Sequence, residues 1–201
     1  MIDAQLRRFT DPPADRFASW FVARGINADQ VTLVGFFIGL LAVPTLWLGW
    51  PLLALLLIAV NRVADGIDGA IARQTEATDR GGFLDICLDF FFYSAIPLGF
   101  ALMDPSRNAL AACFLIFSFV GSGTSFLAFA VLAEKRGQST DIRGQKSFYY
   151  LGGLTEGFET VVFLVLVCLF HGAFWWLALI FGFMAWITAV TRLIAGWQQF
   201  R

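Results

Sequence analysis

Four aspartates interrupt apolar sequence between residues 65 and 89, in the stretch DGIDGAIARQTEATDRGGFLDICLD. Asp65 and Asp68 lie three residues apart and Asp85 and Asp89 four apart, so each pair projects from one face of its own helix. The polar run from Arg73 to Gly82 separates two apolar segments, which lets the two carboxylate faces meet as neighbouring helices of a hairpin. Facing carboxylates repel one another unless a cation sits between them, and a carboxylate at membrane depth needs a partner. Oxygen-only ligation suits a hard divalent ion, Mg²⁺ or Mn²⁺, and bound Mg²⁺ usually completes its shell with substrate phosphates. Gly66, Gly69, Ala70 and Ala72 stand among these aspartates, where a membrane helix normally carries bulky aliphatics. Such small residues let either another helix or a flat ligand approach the backbone. Interleaving with carboxylates favours the ligand.

The rest of the chain predicts an all-α, polytopic membrane protein. Of 201 residues 58% are hydrophobic, with 23 Phe and 7 Trp, a composition that excludes an ordinary soluble domain. Apolar runs of about 20 residues, the length that crosses a bilayer, are expected at Val31 to Gly49, Leu52 to Ala72, Gly82 to Met103, Ala109 to Ala133, Leu154 to Phe170 and Phe174 to Trp197. Residues 1–30 form a separate segment preceding this six-helix transmembrane domain of residues 31–201. In that segment Phe17, Trp20 and Phe21 make one helical face opposite Arg16 and Arg24, as in an interfacial amphipathic helix. Six spans put both termini on one side. Basic residues gather on that same side: the N-terminal arginines, Arg73, Arg80, Lys135, Arg136, Arg143, Lys146 and Arg201, against Arg107 alone opposite. The positive-inside rule then places both termini and the carboxylate hairpin at the cytoplasmic face. Cys87, Cys113 and Cys168 all fall in apolar segments, with no disulfide or metal-type spacing.

The aspartate stretch resembles the signature of the CDP-alcohol phosphatidyltransferase family, D-x-x-D-G-x-x-A-R, a spacer, then G-x-x-x-D-x-x-x-D. It is matched by Asp65, Asp68, Gly69, Ala72, Arg73, Gly81, Asp85 and Asp89, with a spacer one residue short; taking Gly82 as the motif glycine restores the spacer and shortens the next gap. The irregularity falls at the helix joint, where it leaves the two carboxylate faces unrotated. The resemblance implies an integral membrane enzyme that moves a phosphatidyl group from a CDP-linked lipid, CDP-diacylglycerol, to an alcohol and releases CMP. It further implies Asp65, Asp68, Asp85 and Asp89 as ligands of Mg²⁺ or Mn²⁺, and Asp89 as the base for the attacking alcohol. Gly69, Ala72 and Arg73, together with Asn27, would line the nucleotide. The family likeness also suggests a homodimer. Membrane lipids are expected as partners and nucleic acid is not.

Several further residues carry two readings each. Arg62, one turn before Asp65, either pairs with an aspartate or serves a phosphate. The basic cluster of Lys135, Arg136, Arg143 and Lys146 either binds anionic headgroups or contributes to an acceptor site, which would suit a phosphorylated alcohol such as glycerol 3-phosphate or inositol phosphate. Arg192 interrupts the last span and either snorkels to the interface or contacts a phosphate. Glu156 and Glu159 either orient an acceptor or neutralise Arg192 or Arg143. Asn27, Gln30 and Thr32 look like a helix start. Two other classes compete with the transferase. An intramembrane prenyltransferase also holds a diphosphate through Mg²⁺ and aspartates, but on larger bundles with another spacing. A cation transporter needs carboxylates along a path, whereas here they cluster at one depth.

Overall fold

The computed structural model describes residues 2–137 and 153–200, with side chains from residue 12 onward, and among them every regular element is helical. The chain runs through α1 (Ile2–Val22), α2 (Ala28–Leu40), α3 (Ala42–Trp47), α4 (Pro51–Gln74), α5 (Asp79–Met103), α6 (Pro105–Lys135), α7 (Gly157–Leu169) and α8 (Phe174–Gln199). A single 3-10 turn, His171–Ala173, joins the last two, where a turn was expected.

Among the described residues four stretches are long and apolar enough to cross a membrane: Ala28–Trp47, Asp79–Met103, Pro105–Lys135 and His171–Gln199. The other two expected spans differ for separate reasons. Helix α4 has the length, at 24 residues, but carries Arg62 at its middle and Asp65, Asp68 and Arg73 in its second half. Helix α7 has 13 residues, because Glu156 stands as its N-cap and residues 154–156 remain outside the helix.

Other boundaries also depart from expectation. The first span is two helices broken at Leu41, since Pro44 has no N–H to bond the carbonyl of Leu40 and its ring crowds that carbonyl. Gly49 then turns the chain at φ +78 before Pro51 opens α4. The hairpin joint is shorter than the polar run suggests: α5 begins at Asp79, with the Thr78 hydroxyl accepting from Gly81 N–H at 3.0 Å, so Arg80 and Gly81 are already helical.

Phe92, Ile96 and Phe100 of α5 lie at the centre of the core, fully buried among Leu46, Ile58 and Leu115. Phe100 stacks on Phe174 and Phe163 on Phe181, each with ring centroids 4.4 Å apart, which ties α7 and α8 to the same core. Helix α2 reaches α4 through glycines. A Cβ at Gly35 would stand 2.5 Å from the Ala64 Cβ, and one at Gly39 2.9 Å from Asn61 and 2.8 Å from Phe92.

Helix α1 packs Ala18, Phe21 and Val22 against Ile67, Ala70 and Ile71 of α4, and Ser19 donates to Gln74 at 3.0 Å. Phe17 and Trp20 are exposed, whereas Phe21, expected on the same face, turns toward α4. Arg24, however, is not opposite them. Its guanidinium stacks 3.6 Å from the Trp20 ring centroid and donates to the Trp20 carbonyl, because the chain turns back after Val22.

Candidate active site

The second half of α4 and the first half of α5 bring three carboxylates together. Asp65, Asp85 and Asp89 each present an oxygen within 4.8 Å of the others. Asp68, one turn on from Asp65, lines the same small cavity but stands outside that trio. It is buried, and the Thr32 hydroxyl of α2 donates to its Oδ2 at 2.5 Å. The cavity itself is about 10 Å³, room for one water-sized or metal-sized sphere. An all-oxygen donor set converging on so small a space fits a hard divalent cation, with Asp65, Asp85 and Asp89 as the residues able to hold it.

Arg62 adds a cation of the protein's own. Its Nη2 donates to Asp89 Oδ1 at 2.7 Å, its Nη1 stands 3.7 Å from Asp65 Oδ2, and Nη1 also donates to the Tyr93 hydroxyl at 2.7 Å. Of the two readings open for Arg62, the structure shows the pairing with aspartate.

Beside the carboxylates the backbone is open. A Cβ at Gly66 would meet nothing within 4 Å, and one at Gly69 only the Arg73 guanidinium at 3.5 Å. Among the described residues Gly66 and Gly69 therefore make no helix contact, in contrast to Gly35 and Gly39, whereas Ala70 packs against α1. Gly81 and Gly82 also differ: Gly81 is close to Asp29, with 3.1 Å between its would-be Cβ and Oδ1, while Gly82 faces open space. Arg80 clasps that same Asp29 at 2.8 and 2.6 Å, tying the start of α5 to the start of α2. Arg73 reaches Asp15 of α1 at 3.6 Å. Asn27 caps α2, accepting from Gln30 N–H at 3.0 Å while the Gln30 side chain accepts from Asn27 N–H at 3.1 Å. Its side-chain oxygen is thus engaged in the helix start.

The residues assigned to an acceptor separate into three groups. Arg143 and Lys146 lie outside the described residues. Lys135 ends α6 and is exposed, whereas Arg136 donates to the carbonyls of Gln199 and Phe200 at 2.9 and 2.8 Å, capping the end of α8. Arg192 corrects the snorkelling reading: it is buried, turned inward from α8, and Nη1 donates to the Ser122 carbonyl and hydroxyl of α6 at 3.2 Å each. It lines a cavity of about 180 Å³ together with Ser122, Thr155, Glu156, Thr160 and Tyr93. Tyr93 is thereby shared between this cavity and the Arg62 pair. Glu156 and Glu159 serve the start of α7, Glu156 Oε1 accepting from Gly153 N–H and Glu159 Oε2 from Glu156 N–H, both at 3.0 Å. The Thr188 hydroxyl donates to the Met184 carbonyl and also accepts from the N–H groups of Leu154 and Thr155, docking the α7 entry onto α8.

Sequence reasoning missed Thr32, Asn61 and Tyr93 as parts of the site. Thr32 reads in the sequence as part of a helix start, and Asn61 and Tyr93 stand out only by their places, next to Arg62 and one turn beyond Asp89.

Apolar helices around a cluster of carboxylates able to hold a metal ion define an integral membrane protein with a metal-type site. More specifically, the chain belongs to the CDP-alcohol phosphatidyltransferase family, whose model matches residues 25–194, and is a transferase of phospholipid biosynthesis. It is 56% identical over 173 residues to the inner membrane protein YnjF of Escherichia coli, covering 86% of this chain and 84% of that one. It is 28% identical to the archaetidylinositol phosphate synthase of Pyrococcus horikoshii over 94% of both chains. The fold matches phosphatidylinositol phosphate synthase (PgsA1) of Mycobacterium tuberculosis, solved with manganese and citrate, at a TM-score of 0.72 and 22% identity over 92% of this chain and 88% of that one. The same enzyme solved with CDP-DAG bound gives 0.69 at 22% identity, over 92% of this chain and 93% of that one.

Proposed function

We propose that this enzyme transfers the phosphatidyl group of CDP-diacylglycerol to an alcohol that itself carries a phosphate, of the glycerol 3-phosphate or inositol phosphate kind, and releases CMP. One observation carries this reading: three carboxylates converge beside an open, glycine-floored face, so a cation site and room for a flat nucleotide adjoin. The archaeal relative, an archaetidylinositol phosphate synthase, supports an acceptor that carries a phosphate. The inward-facing Arg192, in the cavity that shares Tyr93 with the Arg62 pair, is the residue proposed to receive that phosphate. Arg136, engaged in capping α8, is withdrawn from the role.

The chemistry follows from the proposed roles. An alcohol is a poor nucleophile at neutral pH, so a base must take its proton as its oxygen bonds to the β-phosphorus and the bond from that phosphorus to CMP breaks. Asp89 is the proposed base, its carboxylate receiving the proton. Gly69, Ala72 and Arg73 are proposed to lie along the nucleotide, which Gly69 lets approach the backbone. A divalent cation held by Asp65, Asp85 and Asp89, with Asp68 beside it, supplies when bound the charge that stabilises the phosphoryl oxygens and the departing CMP.

We infer six crossings, with the charged second half of α4 sheltered by α1, α2 and α5. The basic residues then set both termini and the carboxylates at the cytoplasmic side.

The test is CMP release from CDP-diacylglycerol by purified protein against a panel of acceptors. Release should require a phosphorylated alcohol, vanish with excess chelator and return with Mg²⁺ or Mn²⁺. Full activity in chelator, or turnover with free serine and none with phosphorylated alcohols, would overturn the reading.

A further inference from the structure

Arg62 is the charged residue of the site that the carboxylate pattern does not contain, and its guanidinium is held from all sides. Nε and Nη2 donate to Asn61 Oδ1 at 2.8 and 2.6 Å, Nη2 also to Asp89 Oδ1, and Nη1 to the Tyr93 hydroxyl. The rings of Phe92 and Tyr93 lie 4.8 and 4.9 Å from its Cζ. Asn61 is itself fixed, 5% exposed, with its amide donating to the Gly35 carbonyl at 3.0 Å. Backbone of α2 and side chains of α4 and α5 therefore lock one guanidinium in place.

Two consequences follow for the carboxylates. Arg62 holds Asp89 Oδ1 at 2.7 Å, which fixes the orientation of that carboxylate toward the cluster. A permanent positive charge also stands 2.7 Å from Asp89 and 3.7 Å from Asp65, two of the three groups whose oxygens converge. Like charges repel most where little water intervenes, so this guanidinium opposes any cation entering the cluster.

We propose that Arg62 is a positioning residue: it fixes the orientation of the Asp89 carboxylate, and its fixed charge holds down the affinity of the carboxylate cluster for divalent cations. The proposal rests on the reading of Asp65, Asp85 and Asp89 as metal ligands. A merely structural arginine would stabilise the helix pair without setting metal affinity. A phosphate-binding arginine would alter substrate affinity and leave cation binding unchanged in the absence of substrate.

The experiment titrates the purified full-length protein in detergent with Mn²⁺, without substrate, following the free-ion electron paramagnetic resonance signal. Arg62→Gln should bind Mn²⁺ about ten-fold more tightly than the parent, the sign expected when one close like charge is removed. Its turnover at saturating Mn²⁺ should nonetheless fall by about 10-fold to 100-fold, the usual effect of losing a group that orients a ligand. Arg62→Lys keeps the charge and should keep Mn²⁺ affinity within about two-fold, yet lose turnover, since an ammonium cannot hold Asn61, Asp89 and Tyr93 in one plane. Unchanged or weaker Mn²⁺ binding by Arg62→Gln overturns the proposal, as does full turnover by Arg62→Lys, which decides the matter alone if the glutamine variant does not fold. A parent protein that binds no Mn²⁺ removes the metal-site reading itself, an outcome distinct from Mn²⁺ binding that ignores Arg62.

Discussion

The seam between α2 and α4 and the hairpin face of α4 and α5 are both built with glycine, and they use it in opposite ways. At Gly35 and Gly39 a side chain would collide with Ala64, Asn61 and Phe92, so glycine there lets two helices touch. At Gly66, Gly69 and Gly82 no helix fills the missing volume. The first set closes a packed surface and the second leaves one uncovered beside carboxylates. Glycine content alone therefore says little about a membrane helix; what matters is whether a neighbour fills the space.

The largest expected effect lies on the open face. Asp89→Asn should lower kcat by about 10² to 10⁴, the usual worth of a positioned base, with little change in affinity for the CDP-lipid. Loss of CDP-lipid binding along with turnover would make Asp89 chiefly a metal ligand and place the base elsewhere.

The two kinds of glycine separate in a paired experiment. Gly69→Leu should raise the KM for the CDP-lipid by about ten-fold or more at unchanged melting temperature, as a filled ligand site does. Gly39→Leu should instead destabilise the fold by about 1–3 kcal/mol through overpacking, read as a lower Tm. If the Gly69 variant melts early at normal KM, the open face is a packing surface for a second chain and the contrast fails.

The smallest effect tests the seam at its origin. Asn27→Ala removes the cap of α2 and should cost about 1 kcal/mol of stability, with KM for the CDP-lipid unchanged. A raised KM at full stability would return Asn27 to the nucleotide.

Much of this organisation could be read from residue order. The helix positions follow from apolar runs, and the carboxylate faces from spacings of three and four, because both are local periodicities. Pro44 also announced the break at Leu41, a local signal passed over because the apolar run continues through it. What escaped was set by helix rotation and contact across the chain. Thr32 meets Asp68 from 36 residues away and Arg62 meets Asp89 from 27, and neither separation leaves a pattern in the sequence. Arg192 was misjudged because a basic residue near a helix end has a membrane surface to reach, while only the packing of α8 on α6 shows that it turns inward.

Among the described residues the carboxylate cavity is lined by those between Thr32 and Asp89. Arg192 and Glu156, in the larger cavity, belong to the last third of the chain. The two cavities nonetheless meet at α5, where Tyr93 lines the larger one and accepts from Arg62 of the smaller, so drift in α7 and α8 can reshape one wall of the larger cavity while the carboxylate side descends intact.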